Sequence, residues 1–131
     1  MLIWRRRPLA ASPFEDNTDV GPEVEWLPDL DIYQGPDDFI LVVSLPGVRP
    51  EDMDLVVSDR TLTISGQRVL SLPADVVPHL LESPRGRFQR RVRLPADAEL
   101  TRLRIEVRHG QLFVTIPKAM TTVSTIEIEV R

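Results

Sequence analysis

The chain contains no cysteine, which excludes disulfides, thiol catalysis and cysteine-ligated zinc. It has two histidines, His79 and His109, far apart and each without a second histidine nearby, so no metal-ligand spacing can be read around them. Serines occur without a G-x-S-x-G elbow, and the few glycines form no phosphate-binding loop. The longest apolar run, "FILVVSL" at 39–45, is far too short to span a bilayer. "MLIWRRR" places apolar residues before arginines, the wrong order for a secretory signal, so a cytoplasmic location without membrane contact is the expectation. Basic excess is missing too: the formal charge is -4 and the isoelectric point near 5.2, which argues against nucleic acid as a partner.

Proline is abundant, twelve residues against six glycines, and spaced so as to interrupt most helices. With 42% hydrophobic residues the chain can bury a core, and its 131 residues leave room for one domain plus arms. What remains is strand signal. "DIYQ" and "FILVVSL" flank the turn cluster "GPDD". "MDLVVS" and "TLTIS" flank Asp59-Arg60, with Met53, Leu55 and Val57 alternating on one side and Leu62 and Ile64 on the other. Leu103, Ile105 and Val107 match Leu112, Val114 and Ile116 across His109-Gly110, a pair suited to a primed hairpin turn. In "FQRRVRL", Gln89, Arg91 and Arg93 share one face, and Phe88, Arg90, Val92 and Leu94 the other. With a single aromatic among these arginines, ion pairing explains them better than base stacking. Acidic clusters such as "PDLD" and "PEDMD" fall in turns and at strand starts, where aspartate satisfies backbone donors. The reading is an all-β chain folded as a β-sandwich, with no catalytic, cofactor or metal site.

Three stretches lie outside this pattern. Residues 1–25 have no sustained period and read as a mobile arm, with Trp4 and Phe14 as apolar exceptions. "QRVLSLPADVVPHLLESPRGR" at 67–87 carries three prolines and no clean period, a long excursion of the kind that serves a function. The end, "TIEIEVR", sets Ile126, Ile128 and Val130 opposite Glu127 and Glu129, and an isolated strand must find a partner.

"LPGVRPEDMDLVVSDRTLTISGQR", "GRFQRRVRLP", "HGQLFVTIPKA" and a terminal I-x-I, in this order and spacing, resemble the alpha-crystallin family of small heat-shock proteins from about Trp26 to Lys118 and again from Ile126. The resemblance implies an immunoglobulin-like β-sandwich, the alpha-crystallin domain, over 26–118, a mobile arm at 1–25 and a C-terminal tail at 119–131. It implies a homodimer that assembles into larger oligomers and holds unfolding client proteins without ATP. The tail residues Ile126 and Ile128 would dock between a neighbour's fourth and eighth strands, with walls from Leu55, Val57, Leu112 and Val114. Arg93 would stand at the dimer interface. The loop at 67–83, with Val76, Val77 and Leu80, would carry a strand onto the partner near Asp31–Gln34. Glu82 falls where the family has a Glu-Arg pair, with Ser83 in place of the arginine, and Ile105 and His109 replace an alanine and an asparagine. A CS-domain-like adaptor binding a dedicated partner is the alternative, but it would lack both the long loop and the tail. A sandwich-fold enzyme would need the catalytic group that is missing here.

Overall fold

A computed structural model describes residues 12–17 and 21–119. Eight strands form: β1 (Glu15–Asn17), β2 (Leu30–Gln34), β3 (Asp38–Ser44), β4 (Met53–Ser58), β5 (Thr61–Arg68), β6 (Gly86–Arg93), β7 (Arg104–Arg108) and β8 (Gln111–Pro117). They make two four-stranded antiparallel sheets, ordered β1-β6-β5-β4 and β2-β3-β8-β7. Two short 3-10 turns, Pro50–Asp52 and Leu100–Arg102, are the only helical elements among the described residues.

The alternation read from the sequence is what closes the sheets on each other. Phe39, Leu41 and Val43 of β3 face Leu62 and Ile64 of β5 and Phe88 and Val92 of β6 across one core, completed by Leu112, Val114 and Ile116 of β8. The β4–β5 and β7–β8 hairpins turn on two-residue loops with positive φ at both positions. These are Asp59 (50°) with Arg60 (61°), and His109 (53°) with Gly110 (72°). That backbone twist matches the strands it joins, which is why both hairpins run in strict register. Arg60 also ties the first turn to the β6–β7 connection, its Nη2 donating to the carbonyls of Pro95 and Ala98.

The described part of 1–25 is not free of the sandwich. Phe14 is buried with its ring edge-on to Phe39 at 5.1 Å, and β1 pairs with β6 from Glu15↔Arg93 to Asn17↔Arg91. Three residues are too few to show a period, so this strand carries no alternation signal. Further on, Glu25 and Trp26 clamp the start of β6. Both backbone amides donate to the Arg87 carbonyl, Trp26 Nε1 donates to the Gly86 carbonyl at 3.0 Å, and the Glu25 carboxylate accepts from the Arg87 amide at 2.8 Å. Gly86 has φ 90°, which favours glycine, and a β-carbon there would push the Glu25 carboxylate away from the Arg87 amide. From this clamp the chain crosses directly into β2. The β1 and β2 edges therefore lie on one side of the sandwich, and the β4 and β7 edges on the other.

Candidate functional surfaces

The excursion between β5 and β6, residues 69–85, forms no strand or helix, and every residue in it is exposed. Its neck is fixed by Arg68, which donates from Nη1 to the Pro84 carbonyl at 2.6 Å and from Nε to the Pro46 carbonyl at 2.7 Å. Beyond the neck, seven of the eleven large apolar side chains exposed among the described residues stand together: Val69, Leu70, Leu72, Val76, Val77, Leu80 and Leu81. Soluble domains rarely leave so much apolar surface uncovered on one segment without a partner for it. Val76, Val77 and Leu80 are 50, 75 and 76% exposed, and Glu82 is exposed beside them. Pro73, Pro78 and Pro84 keep this segment from folding back as a helix.

Arg93 is exposed at the end of β6, and its Nη1 donates to the Asp59 carbonyl at 3.3 Å. The charged residue that the sandwich buries on this strand is Arg90, 4% exposed. Its guanidinium forms an ion pair with Asp16 at 2.6 Å and donates to the Pro28 carbonyl at 2.7 Å. The signal was present in the sequence as an arginine on the apolar parity of "FQRRVRL", shared with Phe88 and Val92.

The second surface is the β4–β7 side. Leu55 and Val57 are half-buried on the inward face of the edge strand β4. Leu112 and Val114 do not stand as walls opposite them. They belong to β8, which lies between β3 and β7, and are only 3 and 0% exposed. The edge strand beside β8 is β7, where Ile105 and Val107 are 52 and 37% exposed and pair in register with Val114 and Leu112. Leu55 and Val57 on β4 and Ile105 and Val107 on β7 are thus the partly covered apolar residues of two edge strands, while Leu112 and Val114 lie in the core. Arg104 and Arg108 flank the apolar pair of β7, and the Arg108 guanidinium stacks 4.0 Å from the Phe113 ring centre.

Ile126 and Ile128 lie outside the described residues. Among those described, no group of three histidine or acidic side chains is placed to hold a metal ion, and no helix is long and apolar enough to cross a membrane. The more spacious of two shallow hollows, about 710 Å³, mixes Asp37, Asp38 and Asp97 with Arg102, Arg104 and Lys118, so neither charge dominates it. The guanidinium of Arg49 is held above its ordinary range, first by its hydrogen bond to Asp52 and then by attraction to Asp52 and Glu51; it is exposed.

Two antiparallel sheets, with one exposed apolar excursion between neighbouring strands, define an alpha-crystallin-type β-sandwich. The family model of the Hsp20/alpha crystallin family matches residues 31–131. The chain belongs to that family, whose members are generally non-enzymatic chaperones. It is 33% identical over 113 residues to the 18.1 kDa class I heat shock protein of Pisum sativum, covering 85% of this chain and 68% of that one. To small heat shock protein C2 of Rickettsia felis it is 32% identical over 107 residues, 81% of this chain and 67% of that one. Among solved structures, a small heat-shock protein from Xylella fastidiosa, described as having a distinct high order structure, superposes with a TM-score of 0.72 at 30% identity, covering 82% of this chain and 99% of that one. Heat shock protein 16.0 from Schizosaccharomyces pombe superposes with a TM-score of 0.68 at 29% identity, covering 82% and 77%.

Proposed function

We propose that this chain is an ATP-independent holdase: it binds unfolding proteins and keeps them from aggregating. The observation that carries the reading is the apolar excursion at 69–85, which the folded domain leaves in water. In a homodimer this segment covers the partner's β2 edge near Asp31–Gln34, a row of backbone donors and acceptors with no strand beyond it among the described residues. Val76, Val77 and Leu80 supply the buried contacts there, with Glu82 and Arg93 at the rim.

Dimers then join through their tails. Ile126 and Ile128 dock in a neighbour's β4–β7 cleft on Leu55, Val57, Ile105 and Val107, while Glu127 and Glu129 meet Arg104 and Arg108. Fully burying two isoleucines stabilises by about 3–6 kcal/mol. Ordering three or four backbone residues costs about 1–2 kcal/mol each. The two nearly cancel, so a single tail binds weakly and releases often, while many tails together hold an oligomer through effective concentration. Warming releases tails and uncovers the clefts for clients.

The test is aggregation of a heat-labile client such as citrate synthase, followed by light scattering with and without ATP. Protection near stoichiometric ratios, stronger on warming and indifferent to ATP, is the expected result. Protection only with ATP, or none at any ratio, favours the CS-domain-like adaptor. The assembly step has its own test. Ile126→Ala with Ile128→Ala leaves a folded β protein by circular dichroism and reduces the solution mass to that of a dimer. An unchanged mass excludes the tail as the link.

A further inference from the structure

The outer edge of β6 is a built peptide site, and the segment Ser12–Asn17 is the ligand that fills it. Three features recognise that segment. Phe14 is buried in the core cluster and meets Phe39 edge-on. Asp16 supplies the carboxylate to Arg90, a guanidinium buried to 4% exposure. Glu15 stands opposite Arg93 on the outer face, where β6 also carries Arg91. The site therefore selects an extended strand with an aromatic residue followed by acids. A second β6 would fit it poorly, because antiparallel pairing of this arginine-rich strand with itself brings arginines together.

The segment is short and anchored at few points, while the site it occupies cannot stand empty cheaply. Without Asp16, Arg90 is a buried charge without its carboxylate, and the β6 edge loses its backbone partners. Every copy of the chain carries both the site and its ligand. The β1 edge also lies on the same side of the sandwich as the β2 edge, where the excursion of a partner docks in the dimer proposed above. We infer that the Ser12–Asn17 segment exchanges between copies, the segment of one chain pairing with β6 of another and adding a link independent of the tail. The inference rests on the proposed dimer only for bringing two copies together.

The absence of cysteine from the whole chain makes the test clean. Glu15 and Arg93 are exposed and directly paired, so cysteines at both positions sit within reach of a disulfide. In the full chain carrying Glu15→Cys and Arg93→Cys together, oxidation closes the link and shows the pairing. In a mixture of the two single variants, warmed and then oxidised, a peptide disulfide joining position 15 to position 93 arises only between copies. The expected result is that this mixed disulfide appears and increases several-fold on warming. Adding Asp16→Lys to the Glu15→Cys chain abolishes it, since the added lysine repels Arg90. Three outcomes overturn the inference: a double variant that closes while the mixture gives no mixed disulfide, a double variant that never closes, or a mixed disulfide indifferent to Asp16→Lys. None depends on client protection, so failure of the chaperone reading leaves this test standing.

Discussion

In β3, burial alternates without exception along the strand, Phe39, Leu41 and Val43 inside and their neighbours half-buried outside. The excursion at 69–85 carries seven large apolar side chains, yet none is buried. The difference lies in the backbone. The strand satisfies its amides and carbonyls in a ladder and so can place one face in the core. The proline-interrupted excursion has no ladder among the described residues, and burying it alone would strand its polar groups. Apolar content therefore serves two ends in one molecule. In the sheets it stabilises the fold, and in the excursion it is held for assembly.

Substitutions that sharpen this contrast follow, from the largest expected effect on stability to the smallest. Leu62→Ala, at a fully buried position of β5, is expected to cost about 2–5 kcal/mol in chemical denaturation, because the closed sandwich cannot collapse around the cavity. Gly66→Ala belongs beside it, since a β-carbon there would lie 2.0 Å from the Asp52 carbonyl oxygen and the backbone must move. Asp16→Ala leaves Arg90 buried without its carboxylate. Removing one partner of a buried pair costs about 3–5 kcal/mol, and less is expected here because the Asp16 side chain is 25% exposed. Arg90→Met, which removes the charge and keeps the volume, is expected to cost less than Asp16→Ala. The reverse order would show that Arg90 acts through its bond to the Pro28 carbonyl rather than through the ion pair.

The sandwich itself was legible because period-two alternation is a property of each strand alone. The β7–β8 turn was legible from a His-Gly pair that tolerates positive φ, and the β4–β5 turn from the alternation on either side of Asp59-Arg60. Strand order across the sheets was not. β8 has the same alternation whether it lies at an edge or in the middle, so nothing local distinguished Leu112 and Val114, which are covered, from Ile105 and Val107, which stand on an edge strand. β1 was missed for a related reason: it exists because Arg90 and Phe39 lie elsewhere in the chain, and those contacts are far apart in sequence. The buried arginine could have been suspected, because a charge among Phe88, Val92 and Leu94 on one face needs a counter-charge from somewhere.

The central claim is that the excursion stabilises the assembly and not the fold. Replacing Val76, Val77, Leu80 and Leu81 together by serine tests it most directly, with thermal unfolding and solution mass measured on the same sample. Exposed positions such as these shift stability by no more than about 0.5 kcal/mol each. At a concentration where the intact chain is associated, the account predicts folded monomers whose β signature matches that of the intact chain. An assembly of unchanged mass, or a sandwich that no longer folds, would contradict it.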